Sequence, residues 1–449
     1  MSLSTLPTEL IENIARRLEY QELCRLSQAN QRLNGIITNC NELWHVSYMN
    51  NWPRLYNIAY ESTLKTPLNE LKWKNEVQVR HVLSRQVQSL LKRMSPEFYQ
   101  EPALSEDAFD CFRELIDPER KEIDTRAIVD ELESTLTGTR STDNLTVKYY
   151  ATKALTSIKQ QLLREEWLKM IEKYGYKTLE RTEQPINMAN PSEADIRGDL
   201  VTGAVLIAQF CQTEVTISEH QVRNQIRAIA DRTVLELRVR APNNELIKTR
   251  RGQLLTDSEV SNLKESLLQP RHCRDVLCAM NEVMFLDRIN RFEGNRDDYY
   301  CATNSYIDKV LETKLAIPIT MCILYQAVAA LLGVKLYPVN NPGHFLLAFR
   351  EHPDALELYD QFTFVDPFND GKLASEPVNI IPTPLHFFNT RELHVPRPLV
   401  VFRRMASNLI EVGRQAENSV LGLKILRNSL ELMTLINEVC IKHVINHKL

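Results

Sequence analysis

The chain has 449 residues, of which 43% are hydrophobic and 25% charged, and its formal net charge at pH 7 is −4. Such a length predicts two to four domains with a sizeable core. Acidic and basic residues are interleaved, which argues against nucleic acid as a partner. The sequence contains neither a signal-peptide pattern nor an apolar run near the roughly 20 residues that span a bilayer. We therefore expect an intracellular protein, cytoplasmic or nuclear, that does not enter a membrane.

Apolar residues recur at helical spacing near the N-terminus, where Pro7 suits the first turn of a helix. About forty residues cannot bury this many apolar groups alone, so the segment needs a partner or the rest of the chain. An ordinary helical hairpin would also explain the spacing. The apolar residues are, in chain order, Leu6, Leu10, Ile14, Leu18, Leu23, Leu26, Leu33 and Trp44.

The opening Leu6-Pro7-Thr8-Glu9-Leu10, followed at a distance by Trp44, resembles the F-box family. The resemblance implies a helical module over residues 1–53 that docks on the Skp-type adaptor of a cullin–RING ubiquitin ligase. The residues to which it assigns adaptor binding are Leu6, Pro7, Leu10, Ile14, Leu18, Leu23, Leu26 and Trp44.

Residues 54–184 are predicted to form a helical linker region, interrupted by a polar loop at 137–144. Its apolar stripes are Leu83, Val87, Leu90, Leu91 and Met94, then Ala151, Leu155, Ile158 and Leu162. Prolines at 185 and 191 predict a domain boundary near residue 185. Further helices are predicted at 200–210, 218–231, 258–268, 272–290 and 318–332.

After Gly333 the pattern changes to short runs rich in β-branched and aromatic residues, which predict a small antiparallel sheet. The predicted strands are 334–339, 345–349 and 358–365. From Leu399 to Val444 helix returns, with a stripe that comprises Leu421, Ile425, Leu430 and Met433. The predicted fold class is α+β and predominantly helical.

Several motifs between residues 292 and 371 stand in an order that resembles the SirB1-like branch of the transglutaminase-core superfamily. They are Phe292-Glu293-Gly294-Asn295, Asp298-Tyr299-Tyr300, Asn304-Ser305, Asn341-Pro342-Gly343-His344 and Val365-Asp366-Pro367-Phe368. The resemblance covers roughly residues 190–440. It implies a papain-like domain at 185–395 and a C-terminal helical extension at 396–449. Related chains often add a small barrel domain, which we do not expect within these residues.

Active members of that superfamily use a Cys-His-Asp arrangement, and the resemblance assigns its last two positions to His344 and Asp366. Their cysteine lies about four helical turns before the glycine that closes its helix, here Gly333. Counting back places that position at 318–320, where no cysteine stands. Cys322 follows in apolar company that is typical of a core residue. A catalytic triad of Cys322, His344 and Asp366 is therefore the weaker of two hypotheses.

A polar cluster precedes the helix that begins near Pro318. Its members could form the wall of a binding groove, or they could cap backbone groups of a loop. The cluster comprises Asn295, Asp298, Asn304 and Ser305.

Nine scattered cysteines without a Cys-x-x-Cys pair predict reduced thiols. The one tight His/Cys cluster, His272 with Cys273 and Cys278, has too few ligands for a zinc site. We predict neither a metal nor a cofactor.

Three hypotheses about function follow from the sequence. The leading hypothesis is a substrate receptor, not itself an enzyme, that binds the Skp-type adaptor and through it cullin and RING subunits. Its transglutaminase-like domain would then hold a target protein. The alternative is a thiol enzyme, such as a protease, transglutaminase or deamidase, that uses Cys322. A weaker third hypothesis is a scaffold that works outside any ligase.

Overall fold

The structure is a computed structural model. It describes residues 3–59, 71–101, 104–137, 143–173, 199–213, 215–287, 291–341, 343–375, 393, 395–416 and 419–446. The chain forms two compact units, Met1–Leu162 and Leu163–Leu449. The predicted domain boundary near residue 185 and most of the predicted 137–144 loop lie outside the described residues.

The first unit is helical throughout its described part. Its helices are α1 Thr8–Ala15, α2 Tyr20–Ala29, α3 Gln31–Asn39, α4 Asn41–Asn51, α5 Pro53–Ala59, α6 Trp73–Phe98, α7 Asp110–Arg113, α8 Lys121–Thr137 and the first part of α9 Leu145–Lys173. Pro7 stands just before α1, in the extended backbone of an N-cap position. Glu19 and Glu22 form a reciprocal capping box that fixes the start of α2. The predicted second helical stretch is thus two helices, with Leu33 on α3.

One hydrophobic core joins the short N-terminal helices to the long helices that follow them. Trp44 is 2% exposed, and its indole nitrogen donates a hydrogen bond of 2.8 Å to the carbonyl of Ile37. Tyr48 on α4 contacts the ring of Trp73 on α6, with 5.4 Å between ring centroids. The apolar residues that the F-box resemblance singled out are therefore buried in part by the helices that follow them. This agrees with the expectation that about forty residues cannot bury so many apolar groups alone.

The second unit adds helices and two small sheets. Its helices are the end of α9, α10 Leu200–Cys211, α11 Glu219–Arg240, α12 Glu245–Arg250, α13 Asp257–Ser261, α14 Pro270–Asn281, α15 Ile307–Thr313, α16 Pro318–Leu331, α17 Pro398–Gln415 and α18 Val420–Asn446. Its strands are β1 Glu293–Gly294, β2 Leu315–Ala316, β3 Tyr337–Val339, β4 Leu346–Arg350, β5 Phe362–Asp366 and β6 Lys372–Ala374. Strands β3 to β6 pair antiparallel in chain order, whereas β1 and β2 pair parallel. The predicted α+β class with a small antiparallel sheet is confirmed.

Helix α16 lies inside the second unit and carries apolar residues on nearly every face. The hydroxyl of Tyr325 donates to the Oδ1 of Asn281 at 2.7 Å, which satisfies the one polar atom of this large side chain. The helix ends at Leu331, and Gly333 follows at φ +81°, a left-handed conformation that glycine adopts without a steric penalty. The chain can then turn back toward strand β3.

Several predicted bounds differ from the structure: α11 continues to Arg240 instead of ending at 231, and the strands predicted at 334–339 and 358–365 begin at Tyr337 and Phe362. Packing explains two further differences. The predicted helix at 258–268 ends at Ser261, because the following residues run along the end of α16, where Leu267 N–H donates to the Gly333 carbonyl at 2.9 Å. The predicted stripe of the C-terminal helix included Leu421 and Leu430, which are 67% and 45% exposed. The face of α18 that is buried instead carries Ile425, Asn428, Ser429, Leu432 and Ile436.

The packing of α10 on α17 generates a prediction about Gly203. A Cβ atom added there would overlap the buried ring of Phe402. We expect Gly203→Ala to lower the free energy of unfolding by about 1–3 kcal/mol in spite of the better helix propensity of alanine. Urea unfolding followed by circular dichroism measures this change.

The matched control is Gly35→Ala on α3, because a Cβ atom at Gly35 meets nothing within 4 Å. We expect this variant to gain up to about 1 kcal/mol of stability. A Gly203→Ala protein as stable as the Gly35→Ala protein would contradict the close approach of the two helices.

Candidate functional site

The residues assigned to adaptor binding separate into an exposed and a buried group. Leu10 and Ile14 are 48% and 38% exposed on one face of α1, next to the exposed Pro7. Leu23 and Trp44 are buried in the core of the first unit. The half-buried residues of the set are Leu6, Leu18 and Leu26.

This division indicates two different roles. Leu10 and Ile14 are available to a partner, because four-residue spacing places both on the same helix face. Leu23 and Trp44 support that face from the inside, since a side chain with 1% or 2% exposure has no free surface to offer. We name the exposed pair Leu10 and Ile14 the α1 patch.

The second unit brings His344 and Asp366 together as the sequence predicts. The Nε2 atom of His344 lies 2.9 Å from Oδ2 of Asp366. The histidine side chain is 13% exposed and the aspartate is fully buried. Because a carboxylate oxygen accepts hydrogen bonds, the Nε2–H group of His344 is the donor of this contact, and Nδ1 is the ring nitrogen that faces away from the carboxylate.

Backbone geometry holds this pair in place. Gly343 has φ +75°, and the turn it makes presents His344 just before strand β4, while Asp366 ends the neighbouring strand β5. Strands β4 and β5 pair in antiparallel register, with Leu347 opposite Val365. The two residues therefore meet at one end of the same strand pair.

Asp366 has further partners that fix its carboxylate. The backbone N–H of Phe368 donates to Oδ1 at 3.1 Å, and the side-chain amide of Asn369 donates to Oδ2. The ring of Phe368 also meets the imidazole of His344 edge to face, with 5.7 Å between centroids. Asn369 was not among the predicted site residues. The motif Asp-Pro-Phe-Asn, in which an aspartate caps the following turn, is the sequence signal for it.

The structure does not join Cys322 to this pair. Cys322 is the fifth residue of α16 and is fully buried, and its thiol donates to the carbonyl of Phe345 at 3.5 Å rather than bonding to His344. Burial raises the pKa of this thiol well above its ordinary value, the Asp366 carboxylate raises it further, and Arg404 opposes both effects in part. A buried thiol with a raised pKa is a poor nucleophile.

The start of α16, where a thiolate would gain from the helix dipole, holds other residues. The helix begins at Pro318, and the residues that follow it, Ile319 and Thr320, are also buried. The hydroxyl of Thr320 donates to the carbonyl of Ser305 at 3.3 Å, so it serves the packing of the loop. None of these three side chains supplies a thiol at the position that the superfamily uses.

The predicted groove residues act mainly as loop caps. Asn304 is 1% exposed and donates from its amide to the carbonyl of Asp298 at 2.7 Å. The Oδ1 atom of Asn295 accepts the backbone N–H of Asp298 at 3.0 Å. Asp298 itself is exposed, whereas Ser305 is 1% exposed and its hydroxyl has no hydrogen-bond partner among the described residues.

Arg404 on α17 is a site residue that sequence analysis missed. Its Nη1 donates to Oδ1 of Asn340 at 2.6 Å and to the carbonyl of Asn341 at 2.8 Å. Its guanidinium lies 5.4 Å from the ring centroid of Phe345. Arg404 thus holds both sides of the turn that carries His344. A lone arginine in a distant amphipathic helix gives no sequence signal for this role.

Among the described residues, His344 hydrogen-bonds to Asp366 and to no thiol, so the arrangement offers a polar binding group without a positioned nucleophile. A His–Asp pair can accept a hydrogen bond through Nδ1 of His344. Covalent thiol chemistry would require a thiolate within hydrogen-bond reach of that nitrogen. In the described part of the chain, no three His, Cys, Asp or Glu side chains group closely enough to hold a metal ion. No helix there is long and apolar enough to cross a membrane.

Comparisons with known families agree with both halves of this description. Residues 3–50 match the sequence model described as "F-box-like", and residues 251–380 match the model described as "Transglutaminase-like superfamily". The chain therefore combines an F-box-like segment with a transglutaminase-like core, and the predicted resemblance is confirmed. No solved structure matches the chain.

Individual proteins are also similar to this chain. The chain is similar to "F-box only protein 21" of Mus musculus and of Homo sapiens, with 28% identity over 432 and 435 residues, or 95% and 96% of this chain. It spans 61% of the length of each of these relatives. A "UPF0162 protein" of Xylella fastidiosa is 38% identical over 96 residues, which cover 21% of this chain and 31% of that protein.

The burial of Cys322 generates a prediction about thiol reactivity. We expect iodoacetamide at neutral pH to label Cys322 in the native protein about 100-fold more slowly than the exposed Cys24, since the reagent attacks accessible thiolates. Peptide mapping by mass spectrometry gives both rates. Labelling of Cys322 as fast as of Cys24 would support the thiol-enzyme hypothesis, and equal labelling after denaturation is the control.

Proposed function

We propose that this chain is the substrate-recognition subunit of an SCF-type E3 ubiquitin-protein ligase. The α1 patch would bind the Skp-type adaptor, and the adaptor would connect the chain to the cullin and RING subunits. The transglutaminase-like core would hold the target protein. Ubiquitin transfer would then be catalysed by the RING subunit and its E2 partner, not by this chain.

The observation that carries the proposal is the exposure of the α1 patch within the segment that matches the F-box-like family. Leu10 and Ile14 are large apolar side chains that the first unit leaves in solvent, although Ile11 and Ala15 on the same helix are fully buried. Because each side chain is half exposed or less, burying the rest of it against a partner contributes about 1 kcal/mol, roughly half the value for a fully exposed side chain. Neighbouring exposed apolar side chains of this kind mark a surface that is suited to contact with another protein.

The site around His344 supports a binding role for the core. The imidazole of His344 and the turn that carries it are held in a fixed position by Asp366, Asn369 and Arg404. His344 can therefore present Nδ1 to a target with little further loss of side-chain entropy. The buried position and raised pKa of Cys322 disfavour the alternative of a thiol enzyme. We place this activity in the cytoplasm or the nucleus, in keeping with a ligase of this class.

The adaptor proposal predicts the outcome of a double substitution. We expect Leu10→Asp together with Ile14→Asp to weaken binding to a purified Skp-type adaptor about tenfold or more, because two carboxylates would enter an apolar interface. Both side chains are exposed in the free chain, so the variant keeps its core. Isothermal titration calorimetry measures the change in the dissociation constant.

The matched control is Val79→Asp together with Val82→Asp on α6. These valines belong to the same unit and are 38% and 47% exposed, close to the 38% of Ile14 and the 48% of Leu10. We expect the control to bind the adaptor as the unaltered chain does. Equal binding by all three proteins would refute the assignment of the α1 patch.

A further inference from the structure

A cavity of about 500 Å³ lies in the second unit, beside the buried helix α16. Helices α10, α11 and α13 complete its walls, and neither His344 nor Asp366 lines it. The volume falls within the range of about 300–1,000 Å³ that small-molecule sites occupy. Its apolar lining includes Val201, Ile226, Ile323, Ala327 and Leu331.

Most charged side chains around this cavity are already paired. Arg223 bonds to Asp199 and Glu219, and Thr202 also donates to Glu219 at 2.9 Å. Arg227 donates to Asp257 at 3.2 Å and to the carbonyl of Leu255 at 3.2 Å. These contacts satisfy the carboxylates of the rim within the protein itself.

Lys335 is the exception among the charged groups that line the cavity. Its backbone N–H donates to Ser266, but within the described residues its ammonium group makes neither a hydrogen bond nor an ion pair. The Nζ atom lies 5.9 Å from the ring centroid of Tyr337. Burial lowers the pKa of Lys335 to about 8, so at pH 7 the group is still mostly charged.

The path of the backbone explains why this lysine is held there. The left-handed turn at Gly333 ends α16, and the N–H of Val334 returns to the carbonyl of Ala329 at 2.9 Å. Lys335 thereby follows the end of the helix closely and lines the cavity together with the small side chains of Ala327 and Ala330. A desolvated, uncompensated cation costs stability unless a counter-ion binds it.

We propose that this cavity binds a small amphipathic anion, with its apolar body against α16 and its acidic head group on the ammonium of Lys335. The head group would be a carboxylate, sulfonate or phosphate, since each can accept charge-assisted hydrogen bonds from one lysine. The inference is independent of the proposed ligase role, because it uses neither the α1 patch nor the His344 site.

Two fluorescent probes that differ in one charged group test the proposal on the full chain. They are anilinonaphthalene sulfonate and its uncharged parent, phenylnaphthylamine. We expect the chain to bind the sulfonate about tenfold more tightly than the parent, and Lys335→Met to remove this preference while Lys335→Arg keeps it. Fluorescence titration gives the dissociation constants. Lys335→Met removes an uncompensated charge, so its melting temperature is expected to be no lower.

Two further variants locate the binding. Ala327→Phe would fill the cavity and is expected to weaken both probes about tenfold. Lys248→Met, at an exposed lysine of α12 away from the cavity, is the matched charge control and is expected to change neither constant. An unchanged preference for the sulfonate in Lys335→Met, or unchanged binding of both probes in Ala327→Phe, would overturn the proposal.

Discussion

The burial of α16 on nearly every face is the constraint on which the second unit depends. His344 lies just before strand β4 and Asp366 ends the paired strand β5, and the end of the helix at Gly333 fixes the turn toward the sheet. The same burial removes Cys322 from solvent and raises its pKa. The packing of this helix therefore keeps the His344–Asp366 pair in place and at the same time buries the nearby thiol.

The two units divide the proposed function between them. In the first, the core fixes α1 so that Leu10 and Ile14 remain outside it, ready for a partner. In the second, Arg404 and Asn369 stiffen the turn and the carboxylate that position His344. Contact groups that are already ordered in the free protein favour binding, because little further conformational entropy is lost when the partner binds.

Much of the fold was predictable from local sequence, and the site was predictable in part. Apolar residues recur at helical spacing from Leu83 to Met94, and this pattern identified a helix. The β-branched and aromatic runs after Gly333 likewise identified strands. Both predictions succeed because each pattern repeats over several residues. The motifs around His344 and Asp366 identified the pair. The apolar neighbours of Cys322 indicated a core residue, but they did not show whether its thiol faces His344. The role of Arg404 was not predictable, since it depends on contacts between elements distant in sequence. The same reason explains the wrong stripe on α18, where Asn428 is buried to reach the carbonyl of Phe210.

Substitution of Cys322 by alanine in a reconstituted ligase tests the central claim most directly. The measurement is ubiquitin transfer to a protein captured by the chain, with purified adaptor, cullin, RING and E2 components. The account predicts that Cys322→Ala transfers ubiquitin at the same rate as the unaltered chain, whereas His344→Ala loses the captured protein but keeps the adaptor. Loss of activity in Cys322→Ala, with adaptor binding and folding intact, would contradict it.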